Sequence, residues 1–323
     1  MDGSSPDEAL DSRTTSAFED RLRRAVTTDP PDVVHAGPLT DVAFTMIDIW
    51  QGPLIAMSWG FDLMDEVDRD EAARQRAQTV ISRADQIIVD NNAPLRVALE
   101  LGGPSKSIVQ FPWGIDLRAY SPGMSTLREE LGWNEQEVVI LCTRRHEPVY
   151  DVATVVRGFI AASASSAELR LILAGSGSQS EELFELVRQG GMQHRVRFLG
   201  EVPQQSLPNV YRAADLYVSA SRVDGSSVSL LEAMACGVAV CVTAIEGNAQ
   251  WIAGDRGLSF ACGDSAALSS RMIDAATDCA KNIVSKRVTP ALKFVRENAD
   301  WKKNKYILAR IADVAIASHR SRS

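Results

Sequence analysis

Short, almost continuously apolar segments alternate with amphipathic helical patterns along most of this chain. In the second half, the apolar segments 138–143, 169–175 and 216–221 are each followed by a helical pattern. Parallel strands that are apolar on both sides need cover on both faces of their sheet, and the intervening helices can provide it. The sequence therefore predicts an α/β fold with parallel sheets.

Length and composition narrow the class of protein further. A chain of 323 residues allows two domains, and 45% hydrophobic with 24% charged residues is ordinary for a globular enzyme. The formal net charge of −8 argues against a general nucleic-acid surface. Apolar runs such as 238–242 are far shorter than the roughly 20 residues that span a bilayer. The first residues show no apolar signal-peptide core, so we expect a cytoplasmic protein, with peripheral contact to the inner membrane face left open.

The metal-ligating residue types show no pattern typical of a metal site. Five cysteines are dispersed without a C-x-x-C pair, as expected of reduced cysteines in the core, and four histidines lack ligand spacing. Asp68 and Asp70 spell an Asp-x-Asp motif, but they lie in a predicted amphipathic helix near residues 66–84, where residues two apart point to different faces. We therefore expect no metal and no cofactor.

Changes in composition suggest four segments. Residues 1–17 are polar and acidic and are expected to be a disordered tail. Residues 18–121 form a first α/β lobe, and residues 122–289 form a second lobe with a cleaner strand–helix alternation. Residues 290–323 are predicted to be a C-terminal helix.

The segment 224–237, DGSSVSLLEAMACG, carries the strongest chemical signal. A loop rich in free N–H groups runs into a helix N-terminus, which can hold a diphosphate, and Asp224 and Glu232 stand where carboxylates can bind sugar hydroxyls. Two simpler interpretations stay open. Glu232 follows Ser229 by three residues and could complete a capping box, and Asp224 with Gly225 could form only a turn.

Two further loops end apolar strands. Arg144 and Arg145 follow the segment 138–143, where a guanidinium suits phosphate binding, although a solvated pair is the alternative. Gly175 begins a G-x-G sequence that precedes a helix, which is either part of a nucleotide loop or a plain strand-to-helix turn.

Several ordered segments together resemble one family. The acid-x7-acid spacing of Asp224 and Glu232, the segments 207–221, 238–252 and 254–268, and Ala-Asp-Trp at 299–301 resemble the group 1 (family 4) retaining glycosyltransferases over roughly residues 31–317. The resemblance implies the GT-B fold of two Rossmann-like lobes, with the C-terminal helix of residues 290–323 crossing back to the first lobe. It also implies transfer of a sugar from a nucleotide-diphosphate sugar to an acceptor hydroxyl with retention, without a metal, as in polysaccharide or glycoconjugate biosynthesis.

The resemblance also assigns donor-side roles. Glu232 would bind the ribose, Asp224 would hold sugar hydroxyls, and Arg144 or Arg145 would contact the phosphates, so these two arginines and Asp224 are the catalytic candidates. The family's phosphate-binding lysine is replaced by Val149, so either the arginines and Tyr150 take over that role or phosphate binding is weakened. The remaining donor-side candidates are the loop residues Gly225 and Ser226, the amides of Ser227 and Val228, Gly175, and Val202 beside the base.

On the acceptor side the resemblance indicates three residues in the first lobe. Trp59 and Asp62 lie in a segment that usually reads His-Gly-x-Asp in the family, so Trp59 stands where the histidine would contact the donor sugar. His35 faces the cleft in the family pattern, with packing at the rim of the sheet as the alternative.

The first lobe lacks the Gly-rich βα unit with which the family begins, so we expect it to be incomplete at its N-terminus. The segment 32–36 would then be an exposed sheet edge, and a protein partner or self-association could cover it. A short variant, a fragment and one part of a complex are equally consistent with this pattern. Two other functions stay open beside the transferase: a non-catalytic subunit that binds nucleotide sugars, and a GT-B epimerase or phosphorylase.

Overall fold

A computed structural model describes residues 6–322 of the chain, with the backbone alone for residues 6–16 and 278–285. The chain forms two compact units. Unit 2 contains Asn91–Ala93 and Pro112–Lys305, and unit 1 contains Pro94–Phe111, the described residues before Asn91 and those from Tyr306 onwards. The predicted boundaries at residues 121 and 289 stay predictions. No helix of the described residues is long and apolar enough to cross a membrane.

Unit 1 is built on a four-stranded parallel sheet in the order β1-β2-β3-β4. Helices and strands alternate along the chain, so each strand returns in the same direction through a helix. The elements are α1 (Pro6–Thr28), β1 (Val34–Ala36), α2 (Val42–Ile49), β2 (Leu54–Met57), α3 (Val67–Arg69), α4 (Glu71–Arg83), β3 (Gln86–Val89), α5 (Asn92–Glu100) and β4 (Ile108–Gln110).

Two expectations for this part of the chain are corrected. The described part of the expected tail is helical, because α1 begins at Pro6, a residue tolerated in the first turn of a helix, and continues through residues that favour helices. Residues 1–5 lie outside the described residues. The predicted helix 66–84 is interrupted at Asp70, which adopts an extended conformation and caps α4 by accepting a hydrogen bond from the Ala72 amide at 2.9 Å.

Asp70, the second aspartate of the Asp-x-Asp motif, is therefore the N-cap of α4. Across the described residues, no three His, Cys, Asp or Glu side chains are grouped in a way that could hold a metal ion.

Unit 2 contains a six-stranded parallel sheet in the order β7-β6-β5-β8-β9-β10. This is the doubly wound order in which the first strand lies at the centre and the chain then builds one half of the sheet after the other. The elements are α6 (Leu127–Glu130), β5 (Val138–Cys142), α7 (Val152–Ser163), β6 (Leu169–Leu173), α8 (Ser180–Gln189), β7 (Val196–Phe198), α9 (Leu207–Arg212), β8 (Leu216–Ser219), α10 (Val228–Ala235), β9 (Ala239–Thr243), α11 (Glu246–Ile252), β10 (Leu258–Phe260), α12 (Ser265–Ala276) and α13 (Asp278–Asn298). The last helix, α14 (Trp301–Arg322), begins in unit 2, and its residues from Tyr306 onwards belong to unit 1.

The central strands of unit 2 are buried on both faces, as their continuous apolar sequences predict. Val139 and Leu141 of β5 belong to the hydrophobic cluster on one face, and Val138, Ile140 and Cys142 belong to the cluster on the other. Successive side chains of a strand point to opposite faces, so one apolar run supplies both cores. The α/β class with parallel sheets is thus confirmed.

The C-terminal segment consists of two helices where one was expected. α13 ends at Asn298 and α14 begins at Trp301, and the intervening Ala299 carbonyl accepts a hydrogen bond from the Ile115 amide at 2.9 Å. The backbone between the helices is thereby used for a bridge to another segment of unit 2, which a continuous helix could not provide.

We expect Leu141→Ala to lower the free energy of unfolding by about 2–5 kcal/mol, because it leaves a cavity beneath the central strand of unit 2. Met124→Ala is the control, since Met124 is 95% exposed and its loss should change stability by less than about 0.5 kcal/mol. Urea unfolding followed by tryptophan fluorescence measures both. Equal destabilisation by the two variants would contradict the assignment of Leu141 to the core.

Candidate functional site

The candidate site lies where the strand order of unit 2 reverses. β5 pairs with β6 on one side and with β8 on the other, with Leu141 opposite Tyr217. Helices leave neighbouring strands toward opposite faces at such a point, and the crevice between them is the usual ligand position in doubly wound sheets. The loop after β5 carries Arg144 and the loop after β8 carries Asp224, so both are placed at this position.

Arg144 is the centre of a compact polar network. Its Nη1 donates hydrogen bonds to the hydroxyls of Ser227 at 2.9 Å and Ser229 at 3.0 Å, and its Nη2 lies 2.8 Å from a carboxylate oxygen of Asp224. The ring of Tyr150 lies 4.1 Å from the guanidinium carbon in a cation–π contact. The Arg144 side chain is only 10% exposed, so the alternative of a solvated arginine at the end of a strand does not describe it.

Burial disfavours the charged forms of Arg144 and Asp224, and the attraction between these two groups offsets part of that cost. Burial disfavours the charged form of Arg144, but the neighbouring Asp224 and the phenols of Tyr217 and Tyr150 raise its pKa overall, so the guanidinium stays protonated. Burial raises the pKa of Asp224, and Arg144 acts in the opposite direction. Nε of Arg144 is buried and has no hydrogen-bond partner among the described residues.

Further contacts fix the loops after β5 and β8 to each other. The Arg222 amide donates to the Val149 carbonyl at 2.9 Å, and the Arg222 guanidinium donates to the Asp151 carboxylate at 3.0 Å. A Cβ at Gly175 would lie 2.5 Å from the Arg144 carbonyl oxygen, so this glycine lets the loop after β6 approach closely. Gly247 at the start of α11 makes the same kind of approach to the Asp224 carbonyl.

The loop from Gly225 leads into α10 without a side-chain cap. Ser227 is the N-cap residue, and its hydroxyl accepts from Arg144 and makes no capping bond. Gly225 is buried, the Ser226 hydroxyl accepts from the Trp251 indole at 3.2 Å, and Val228 is 45% exposed. The helix N-terminus therefore keeps backbone donors available for an anion.

Glu232 lies one turn into α10 and is almost fully buried. Its carboxylate accepts a hydrogen bond from the Tyr211 hydroxyl at 2.7 Å, and that hydroxyl lies 3.0 Å from the Thr143 hydroxyl. Burial raises the pKa of Glu232, while the phenols of Tyr211 and Tyr120 lower it. Ser229 is already inside the helix and bonds to Arg144, so the capping-box alternative for Glu232 is excluded.

Two other donor-side candidates, Arg145 and Val202, lie outside the hydrogen-bonded network around Arg144. The Arg145 side chain is 72% exposed and lies 3.8 Å from Glu147, outside the network of Arg144. Val202 is partly buried and packs against the hydrophobic cluster on one face of the sheet. The structure therefore distinguishes between two adjacent arginines that the sequence left equivalent, and it places Tyr150 beside Arg144 one residue after Val149.

The three acceptor-side candidates belong to unit 1. His35 is exposed on the edge strand β1, but partial burial lowers the pKa of its imidazole, so packing at the rim of the sheet stays open as the alternative. Trp59 is 54% exposed after β2. Asp62 is fully buried, and its carboxylate accepts hydrogen bonds from the Leu39 amide at 2.9 Å, the Ser58 hydroxyl at 2.7 Å and the Trp59 amide at 3.1 Å. Asp62 thus holds together the loops after β1 and β2.

Four residues of the site were not predicted to belong to it from the sequence, where Ser229 was considered only as a helix cap. Ser229 and Tyr217 orient Arg144, since Tyr217 donates to the Ser229 hydroxyl at 2.7 Å, and Tyr211 and Gly247 support Glu232 and Asp224. Ser229 was within reach of sequence reasoning, because it lies inside the motif two residues after Ser227. The tyrosines lie in an apolar helix and an apolar strand, where nothing in the sequence shows that their hydroxyls face carboxylate and hydroxyl groups.

We expect Glu232→Gln to become more stable relative to the wild-type protein as the pH rises. The folded state raises the pKa of Glu232, so the carboxylate favours unfolding once it ionises, whereas glutamine keeps an acceptor for Tyr211 and carries no charge. The wild-type free energy of unfolding minus that of the variant should therefore fall as the pH rises above the ordinary pKa of a glutamate, about 4.3. Urea unfolding across this pH range tests the sign, and a difference that rises with pH would contradict it.

Comparison with known proteins assigns the part of the chain that carries the candidate donor site to a family. The sequence model of the family Glycosyl transferases group 1 matches residues 124–287, about half of the chain. A D-inositol 3-phosphate glycosyltransferase of Mycobacterium sp. (strain JLS) is 30% identical over 251 residues, 72% of this chain and 56% of that protein. An N-acetyl-alpha-D-glucosaminyl L-malate synthase of Bacillus anthracis is 28% identical over 61% of this chain and 52% of its own length. The chain thus spans little more than half the length of these relatives.

Solved structures extend the likeness to the whole fold. HepE of Anabaena, in complex with UDP and glucose, aligns with a TM-score of 0.79 at 19% identity over 91% of this chain and 80% of its own. Sucrose-phosphate synthase of Thermosynechococcus elongatus aligns with a TM-score of 0.81 at 18% identity, covering 95% and 79% of the two chains. These likenesses confirm the GT-B fold. The chain belongs to the glycosyl transferases group 1 family.

Proposed function

We propose that this protein transfers a hexosyl group from a nucleotide-diphosphate sugar to an acceptor hydroxyl with retention of configuration, in the synthesis of a glycan or glycoconjugate. The observation that carries this proposal is the placement of Arg144 at the switch point of unit 2, ion-paired to Asp224 and bonded to the first serines of α10. The relatives named above are called transferases and synthases, so the alternative of a non-catalytic subunit is not favoured.

The site offers the donor two kinds of partner. The diphosphate would lie at the N-terminus of α10, where the amides of Ser227 and Val228 and the unpaired Nε of Arg144 can donate to it. The ribose hydroxyls would bind the Glu232 carboxylate, which already accepts one hydrogen bond from Tyr211. Asp224 would hold hydroxyls of the transferred sugar through the carboxylate that also pairs with Arg144.

The same groups would lower the barrier to cleavage of the sugar–phosphate bond. Negative charge grows on the departing diphosphate, and fixed donors stabilise it most when they are oriented in advance. Arg144 meets that condition, because two serine hydroxyls, a carboxylate and the Tyr150 ring hold its guanidinium in place. In the retaining reaction proposed here, the departing phosphate accepts the proton of the acceptor hydroxyl, so no protein side chain is required as the base.

We propose that the reaction needs no divalent metal and that Arg144 and the helix N-terminus supply the positive potential that a metal would otherwise provide. The dispersed cysteines, three of them buried and free, are consistent with a cytoplasmic setting, where thiols stay reduced. The same proposal includes peripheral contact of the protein with the inner face of the membrane.

Calorimetric titration with UDP, GDP and ADP and their sugar conjugates tests the donor site. We expect one nucleotide to bind to the wild-type protein and Glu232→Ala to weaken this binding by at least about tenfold, because the ribose loses a charged hydrogen-bond acceptor. Arg144→Lys should weaken binding of the same nucleotide about 10- to 100-fold, since an ammonium group cannot reproduce the forked geometry of a guanidinium.

Arg145→Lys is the matched control, because it makes the same substitution at the exposed neighbour and should change affinity less than about threefold. Thermal unfolding of each variant shows whether the fold is intact. Absence of binding by every nucleotide, or a loss confined to Arg145→Lys, would contradict the proposed donor site.

Sugar transfer or slow donor hydrolysis should proceed unchanged in the presence of excess EDTA. The proton NMR spectrum of the first product formed should show the anomeric configuration of the donor. A rate that disappears with EDTA and returns with Mg²⁺ or Mn²⁺ would contradict the metal-free reaction, and an inverted product would contradict retention.

A further inference from the structure

Unit 1 contains a groove that none of the predicted site residues lines. It has a volume of about 740 Å³, which falls in the range of small-molecule sites. One wall comes from the N-terminal turn of α2, after β1, and the other from the helical segment after β2 and the start of α4. The groove therefore lies at the carboxyl ends of two parallel strands, where ligands of open α/β sheets bind.

Hydrogen bonds hold the two walls in a fixed relation. The Thr40 hydroxyl donates to the Glu66 carboxylate at 2.5 Å, and the Arg76 guanidinium donates to the Thr40 carbonyl at 2.8 Å. Behind them the buried Asp62 carboxylate accepts the Leu39 amide. A ligand entering the groove would meet a largely preformed surface, so little binding energy would be spent on ordering it.

The lining combines hydrogen-bonding groups of both kinds with one aromatic ring. Thr45 and Arg76 can donate, Asp41 and Glu66 can accept, and Phe44 adds an apolar surface. Asp41 is the N-cap residue of α2, yet its side chain forms no capping hydrogen bond. Closely spaced donors and acceptors beside an aromatic ring suit a molecule with several hydroxyls and an apolar C–H face.

The charge of the lining decides between a neutral and a phosphorylated ligand. Asp41, Glu66 and Asp70 oppose Arg69 and Arg76, which leaves one excess negative charge. Both arginines are already ion-paired, Arg69 with Asp65 outside the lining and Arg76 with Asp70 at 3.6 Å. Among the described residues Asp41 and Glu66 form no ion pair. A phosphate in this groove would meet uncompensated carboxylates, and like charges at short range repel.

We propose that this groove binds an uncharged polyol, a sugar or cyclitol without a phosphate group, as the acceptor. The proposal rests on the glycosyl transfer proposed above and adds the chemical class of the acceptor and the residues of unit 1 that select it. It distinguishes this chain from the relative that is named for inositol 3-phosphate.

Competition between neutral and phosphorylated acceptors tests the proposal. The probes are glucose and myo-inositol and their monophosphates, measured by saturation-transfer NMR and as acceptors for the donor that calorimetry identifies. We expect the wild-type protein to prefer a neutral probe over its monophosphate by at least about tenfold, a difference of about 1.4 kcal/mol. Nucleotide affinity is measured on the same samples.

Asp41→Lys should reduce that preference at least about fivefold, because it exchanges an unpaired carboxylate in the groove for an ammonium group. Asp41→Asn should give a smaller reduction. Asp68→Lys makes the same charge change at an exposed residue outside the lining and should leave the preference unchanged. None of the three variants should alter nucleotide affinity.

Each outcome decides between the two proposals. A monophosphate that binds as tightly as its neutral parent, or neutral binding that Asp41→Lys and Asp68→Lys affect equally, overturns the assignment of the groove. Nucleotide binding without binding or glycosylation of any neutral probe overturns it as well and leaves the proposed transferase standing. Loss of nucleotide binding in the wild-type protein overturns the proposed transferase and the inference that rests on it.

Discussion

The parallel pairing of β5 with β8 is the constraint on which the candidate donor site depends. It places the loop that carries Arg144 beside the loop that carries Asp224, although a helix–strand–helix–strand–helix–strand sequence separates them along the chain. Both strands are apolar on both faces and are buried beneath helices, so the position of the two loops is fixed by the core of unit 2. The ion pair and the Arg222 contacts then join the loops directly.

The site carries an energetic cost that a purely structural arrangement would avoid. Arg144, Asp224 and Glu232 are largely buried, and burial raises the pKa of both carboxyl groups. A buried ion pair often contributes less to stability than apolar groups of the same shape would, because desolvation offsets much of the attraction. Donors and acceptors fixed in advance are nevertheless what the stabilisation of a departing diphosphate requires. Such local conflicts between stability and chemistry are expected at functional sites.

Unit 1 shows how one buried carboxylate can organise a ligand-binding edge. Asp62 joins the loops after β1 and β2 through three hydrogen bonds, and it thereby supports both the exposed Trp59 and the groove at Thr40 and Glu66. Its role in this structure is to position these loops, since no part of its side chain is exposed to a ligand. The excess of carboxylates in the groove would then disfavour negatively charged acceptors relative to neutral ones.

The sequence by itself determined the α/β class, the central strands of unit 2 and the motif that begins α10, because apolar runs of strand length and turn residues are local signals. It did not predict the full length of α1. It also missed the breaks at Asp70 and between α13 and α14, where a capping bond or a backbone bridge outweighs helical periodicity. Only the tertiary structure decided between Arg144 and Arg145, gave Ser229, Tyr211 and Tyr217 their roles, and formed the groove of unit 1. These features depend on which strands become neighbours and on which way each side chain points, and local sequence encodes neither.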